Sequence, residues 1–306
     1  MKAMNKKVSS HYVPQAYLRK FINPEKKLYI KNKKTGSIRQ GFTKSVNYLD
    51  DFYVVDTVDE KNSQEIEQTL GHLESVSLPL LNKLSEANIS SNSEWADVAI
   101  YITIQYGRTP KYKRQLKEIM GIYTNARIRQ MLEKASINEN AYEDLKKINQ
   151  EETGGFKVPS QTELKSLLEK EIVESEITYG NNIYVRTFFE EAYTLADYIL
   201  KKRWRVMHRT GEATFITNDF PVIVNIYSID GKEDMAGLSY MSLADRIYFP
   251  ISPDVCLIIF CDESNDGNID HFNTIEKDVL EINKIIYESA EQYVIANNEK
   301  DLKQHT

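Results

Sequence analysis

Apolar residues recur at helical spacing through the middle of the chain. From Ser63 onward, Ile66, Leu70, Leu73, Leu80, Leu81 and Leu84 keep that period, and Pro79 predicts a kink or a division of the element. The pattern predicts a second helix over 94–106, ended by Arg108-Thr109-Pro110 because a residue before proline is pushed out of the helical region. Lys113–Lys134 again reads as helical, and 138–176 reads as polar and acid-rich, broken into a loop at Thr153-Gly154-Gly155. A long amphipathic helix is expected over 184–202, with Phe188, Phe189, Tyr193, Leu195 and Ile199 or Leu200 on its apolar face. The period then changes. Trp204–Met207, Thr214–Thr217, Val222–Tyr227, Arg246–Phe249 and Val255–Phe260 are β-branched and aromatic runs between turn residues, which predicts an antiparallel sheet. A closing helix over 274–292 carries Ile275, Val279, Ile282, Ile286 and Tyr287 and leaves a polar tail.

Near the N-terminus, Pro14 suits the first turn of a short helix whose apolar face is Tyr17, Leu18 and Phe21. Leu28–Ile30 and Ser37–Phe42 flank the turn cluster Asn32–Gly36, a hairpin pattern. The expected fold class is therefore α+β in one compact unit, 1–306: a basic motif and hairpin over 1–52, a mainly helical centre over 63–202, and an antiparallel sheet with its closing helix over 203–297.

Composition adds little to that picture, whereas charge distribution adds a good deal. The chain has 306 residues, 41% hydrophobic, enough for a sizeable core. Its net charge of −6 conceals an asymmetry, since residues 1–47 hold twelve Lys or Arg against one acid, Glu25. That segment carries +11, and the rest of the chain −17. A second basic stretch, Arg108–Lys134, has eight basic residues against Glu118 and Glu133. Such blocks attract phosphate-bearing partners, including nucleic acid, or dock on the acidic remainder of the same chain. Cys256 and Cys261 are read as free thiols in the core, because five residues along a strand put them on opposite faces. With no apolar stretch of membrane-spanning length and no secretion signal, the expected location is cytoplasmic, with no membrane partner.

Glycine-rich phosphate loops, Cys/His zinc spacings, metalloprotease histidine pairs and Gly-x-Ser-x-Gly elbows are all missing from the sequence. What stands out instead is His11-Tyr-Val-Pro-Gln15, followed by Leu18-Arg19 and Phe21. Further along come Asp51-Phe-Tyr53, Glu67 and Glu74 around Leu70, Gln105 with Arg108-Thr-Pro110, Trp204, Phe215–Asp219 with Pro221, Phe249–Pro253 and Asn283. In this order and spacing the chain resembles the bacterial family known as domain of unknown function 4238. It departs from that pattern at Asn218-Asp-Phe-Pro-Val222, where the family tends to read Ser-Asp-Asn-Pro-Val, so Phe220 stands in place of a polar residue.

The resemblance implies no activity, but its polar positions can be read for chemistry. Were the first motif helical throughout, His11, Gln15 and Arg19 would share a face; Pro14 instead favours His11 just before the helix. Glu67 and Glu74, seven apart, align after two turns. As a phosphate-chemistry site, His11, Glu67, Glu74 and Asp219 are the candidate catalytic residues. Within it, Glu67, Glu74 and Asp219 are the candidate ligands of a divalent metal such as Mg, and Gln15, Arg19, Gln105 and Arg108 the candidate substrate-binding groups. The function expected on that basis is a metal-assisted phosphodiesterase or nuclease, as in a toxin or defence effector. The alternative is a non-enzymatic module that binds nucleic acid, a nucleotide or a protein through its basic N-terminal segment. A structural reading of the same residues makes the arginines and carboxylates a buried ion-pair network.

Overall fold

The computed structural model describes residues 9–50, 52–53, 60–153, 158–170, 181–225, 241 and 244–304. The tail lysines Lys2, Lys6 and Lys7, Asp51 and the Gly154-Gly155 break lie outside them. Two compact units emerge where the sequence suggests one: Met1–Gln115 with Gly180–Thr306, and Leu116–Tyr179. The class is α+β.

The first unit is built on two larger sheets and a two-stranded ribbon. The ribbon pairs β1 (Ser9–His11) with β4 (Tyr48–Asp50), His11 opposite Tyr48. The predicted hairpin forms as β2 (Leu28–Asn32) and β3 (Ile38–Gly41), and Gly36 at its turn takes φ +70°, a value glycine reaches without steric cost. The hairpin is only half of its sheet. β11 (Tyr293–Ala296) pairs with β2 on one side and with the short β6 (Thr217–Asn218) on the other. The polar tail expected after the closing helix therefore contains a buried strand and a short helix, Glu299–Lys303.

The second sheet runs β10–β5–β9–β8–β7, with β5 Lys202–Arg209, β7 Ile223–Asn225, β8 Arg246–Ser252, β9 Val255–Ser264 and β10 Ile269–Thr274. Four strands follow the predicted runs, but β10 pairs parallel with β5, so the sheet is mixed rather than antiparallel. β10 reads Ile-Asp-His-Phe-Asn-Thr and is exposed or half-buried except for Thr274, so it lacks the apolar run of a central strand.

Helix α1 (Gln15–Leu18) continues as a 3-10 turn over Arg19–Phe21. Pro14 stands just ahead of it at the capping position, not within the first turn. α2 (Glu60–Ser85) passes through Pro79 as one helix. Pro79 is exposed and lies one turn after exposed Ser75, where water can replace the missing backbone bond. α3 (Asn92–Gly107) is almost wholly buried from Trp95 onward and packs against α7 (Asn181–Leu200). α4 (Pro110–Ile137) begins with proline at its first position, which suits a site that needs no N–H donor.

Tyr17 shows how the N-terminal motif is anchored. Its ring stacks on Phe249 at 5.5 Å, and its hydroxyl donates to the Pro250 carbonyl at 2.6 Å and meets Thr217 Oγ1 at 2.8 Å. Behind the sheets, α8 (Glu276–Ser289) buries Val279, Ile282 and Ile286 against Phe215, Ile258 and Val294. Cys256 and Cys261 are buried free thiols, as expected.

The second unit contains the rest of α4, then α5 (Glu139–Thr153) and α6 (Gln161–Glu169), so the polar, acid-rich stretch is helical on either side of the Gly154-Gly155 break. Ala135, Leu145 and Leu164 form its small core. Ser160 and Glu163 form a reciprocal capping box that starts α6. Among the described residues, no helix is long and apolar enough to cross a membrane.

Candidate functional site

Arg108 is the centre of the charged cluster. It caps the C-terminal end of α3, one residue before Thr109-Pro110 stops the helix, and its side chain is 3% exposed. Every nitrogen of the guanidinium is engaged. Nη1 meets Glu74 Oε1 at 2.7 Å, Nη2 donates to the His11 carbonyl at 2.7 Å, and Nε donates to the Tyr53 hydroxyl at 3.3 Å. That hydroxyl in turn donates to the Arg108 carbonyl at 3.2 Å. Burial opposes the charge, but Tyr53 and Glu74 outweigh it and hold the guanidinium above its ordinary range.

Gln105, three residues earlier on α3, donates from Nε2 to the Tyr12 carbonyl at 3.0 Å. Two successive carbonyls of the His11-Tyr12 segment are therefore held by α3, and Tyr12 N–H is held by the Asn47 carbonyl at 3.1 Å. Gln105 and Arg108, expected to bind substrate, instead fasten the N-terminal motif to the helical core. A buried backbone carbonyl requires a donor, and these side chains supply one where the sheet does not.

His11 stands at the end of β1, before the helix that begins at Gln15. Its ring lies 5.7 Å from Tyr48 and is hydrogen-bonded to the backbone of Lys44. Nε2 is buried with no partner among the described residues, and so is Glu67 Oε1. Burial lowers the imidazole pKa, while the Lys44 bond and the charge of Glu67 act to raise it. Glu67 and Glu74 do come to one place from the same helix face, with His11 and Arg108 beside them.

The other candidates have partners of their own or are exposed. Asp219 follows β6 and is 6% exposed. Its Oδ1 accepts from Glu291 N–H at 3.0 Å, and its Oδ2 accepts from Gln292 and Tyr293 N–H at 2.6 and 2.9 Å. Burial raises the carboxyl above its ordinary range in spite of these three amides, which favour its charge. Asp219 thus fixes the turn between α8 and β11. Neighbouring Asn218 assists by donating to the Ile286 carbonyl at 2.6 Å. Phe220, where the family pattern has a polar residue, is buried beside Tyr106 with Lys111 Nζ 4.8 Å from its ring centre.

Among the described residues, no group of three or more His, Cys, Asp or Glu is disposed to hold a metal ion. Glu67, Glu74 and Asp219 therefore do not form the divalent-cation centre expected of them, since Glu74 is paired with Arg108 and Asp219 with backbone amides. Gln15 is half-buried and accepts weakly from Thr43 Oγ1 at 3.5 Å. Arg19, one turn further on, is exposed.

A family described as protein of unknown function, DUF4238, matches residues 10–300 of the chain. The chain belongs to this family. No curated protein and no solved structure matches it. The DUF4238 match spans β1 to the final helix, so the Arg108 cluster and the Asp219 turn both fall inside it.

Sequence reasoning passed over the exposed face of the same motif. In this DUF4238 chain Phe42 and Tyr48 are 54% and 44% exposed, although both are large and apolar or aromatic. Lys44 and Arg39 are exposed beside them in sequence, and the Arg39 guanidinium lies close over Gly41. Alternating cations and aromatics from Arg39 to Tyr48 were the available signal. The second basic stretch is differently placed. Lys111 donates to the Ser289 carbonyl, Lys113 stands over Phe52 and Tyr184, and Arg114 pairs with Glu291.

Proposed function

We propose that the chain is a non-enzymatic module that binds single-stranded nucleic acid through the exposed surface of its N-terminal basic motif. The observation that carries this reading is the combination of exposed Arg19, Arg39 and Lys44 with exposed Phe42 and Tyr48. None of the three cations has an ion-pair partner among the described residues. Guanidinium and ammonium groups neutralise phosphates, and aromatic faces stack unpaired bases, which is the usual combination in sequence-tolerant single-strand binding. Gln15 and Thr43 join α1 to the turn before Tyr48, so the elements that carry Arg19 and Lys44 touch. Lys31 and Lys33, by contrast, serve the fold, donating to the carbonyls of Leu302 and of Glu288 and Ala290.

The test is a titration of the full chain against a fluorescent oligonucleotide at two salt concentrations. Three phosphate contacts on a single strand give a log–log salt slope of about −2. Affinity should therefore fall by about 16-fold between 50 and 200 mM salt, and the triple variant Arg19→Ala, Arg39→Ala, Lys44→Ala should lose that dependence. Absence of binding at low salt would overturn the reading.

One observation favours a second reading, phosphodiester hydrolysis. His11 Nε2 and Glu67 Oε1 are both without partners inside one charged cluster, and an unprotonated imidazole nitrogen can accept a proton from an attacking water. Hydrolysis of an activated phosphodiester that is abolished by His11→Gln would support it.

A further inference from the structure

From Leu116 to its end at Ile137, α4 belongs to the second unit and carries apolar residues on two opposite sides. Leu132 and Ala135 lie on the side that packs with Leu145 and Leu164. Ile119, Ile122, Tyr123 and Ala126 hold positions i, i+3, i+4 and i+7, the spacing of a single helix face. With 3.6 residues per turn, that second face is centred roughly 160° round the helix from the first. It is uncovered. Ile122 and Tyr123 are 67% and 71% exposed, Ala126 is exposed, and Ile119 is half-buried. Single apolar residues on a surface need no explanation, but a contiguous stripe marks a contact surface.

We propose that this stripe is a homodimer interface, in which α4 of one copy packs antiparallel against α4 of a second copy. The charges beside the stripe select this occupant. In an isologous contact the same patch serves both copies, so if residue i faces residue j, then j also faces i. For an antiparallel pair with its two-fold axis between positions 123 and 124, Glu118 stands opposite Arg129 of the second copy, and Arg129 opposite Glu118. Both lie on one flank of the stripe, about 20° apart around the helix. Glu118 is exposed and has no ion-pair partner among the described residues. Arg129 is exposed as well and holds Glu133 through Nε at 3.1 Å, which leaves its Nη groups for a second carboxylate.

The same axis lets the stripes interlock. Along the pair, Ile119, Ile122, Tyr123 and Ala126 of one helix fall at levels 119, 122, 123 and 126, and those of the other at levels 128, 125, 124 and 121. Side chains of one copy thus enter the spaces between those of its neighbour, as in packed helix pairs generally. Parallel pairing lacks this match, because opposite flanks then meet and Arg129 would face Arg127 and Lys134 of the second copy. An anionic surface is also a poor fit, since Glu118 and Glu133 both border the stripe.

Sedimentation velocity of the full chain over a concentration series at low salt tests the pairing. The expected result is a monomer–dimer equilibrium, with the sedimenting species approaching twice the monomer mass as concentration rises. Ile122→Glu with Tyr123→Glu, at positions that the fold leaves in solvent, should abolish the dimer without changing the circular dichroism spectrum. Glu118→Arg sets arginine against Arg129 of the second copy at two symmetric places and should weaken association about tenfold. Adding Arg129→Glu to Glu118→Arg should restore most of that loss, because the pair is then re-formed with its signs exchanged. A monomer at every concentration would overturn the proposal and leave the stripe to a different protein. A dimer that persists in the Ile122→Glu, Tyr123→Glu variant, or that is indifferent to Glu118→Arg, would overturn it too.

Discussion

Replacing Arg108 with methionine tests whether the charged cluster is architecture. Methionine keeps much of the apolar stem but removes three donors at once, leaving the Glu74 carboxylate and the His11 carbonyl to find other partners, while the Tyr53 hydroxyl keeps its bond to the main-chain carbonyl of residue 108. Breaking a buried ion pair by removing one partner costs about 3–5 kcal/mol. Glu74 is one-fifth exposed and regains some hydration, which favours the lower end of that range, while the orphaned carbonyl adds a cost of about 1–3 kcal/mol in its own right. A total of about 4 kcal/mol in a domain of this size corresponds to a fall in melting temperature of roughly 10 °C. The assay is thermal unfolding followed by far-UV circular dichroism. Arg108→Lys, which keeps the charge but not the three-way fork, should lose about half as much, since Lys and Arg differ at multidentate sites. In the double variant Arg108→Met, Glu74→Met the loss should be smaller than in Arg108→Met alone, because no charge is left unpaired. A melting temperature for Arg108→Met within about 2 °C of the unmodified chain would refute the reasoning.

Asp219→Asn should destabilise by about 2–3 kcal/mol, because one of the oxygens that accept amide hydrogens becomes an N–H donor, and it should leave oligonucleotide affinity unchanged. Acid should destabilise the fold through His11, His208 and His271, all lowered mainly by burial. Unfolded histidine takes up its proton near pH 6.5, above the folded values, so the unfolded state binds more protons in between and stability falls as pH drops below about 6.5. Melting temperatures measured from pH 7.5 to 5.5 should show this decline, and His11→Gln should reduce it.

The sequence was informative wherever one period ran long enough to show. α3, α7, α8 and the β8–β9 hairpin follow their apolar residues closely, because each buries a face whose pattern is dictated by that burial. The run Thr214–Thr217 predicted a strand but only Thr217 lies in the two-residue β6, and neither its place in the hairpin's sheet nor the four-residue β11 showed, since what fixes both is pairing with each other and with the distant hairpin. The site was legible only in part. The family resemblance marked His11, Glu67, Glu74 and Arg108, and they do meet. The sequence could not show what Arg108 and Gln105 meet there, because a backbone carbonyl carries no residue identity. Asp219 illustrates the same limit, with all three of its partners being main-chain amides.

Photocrosslinking of a 4-thiouridine oligonucleotide to the full chain, with the adducts located by mass spectrometry, tests the binding proposal most directly. Adducts should concentrate on Phe42 and Tyr48 and disappear when Arg39 and Lys44 are both changed to alanine. Adducts confined to residues 116–179, or an unchanged yield in that double variant, would contradict it.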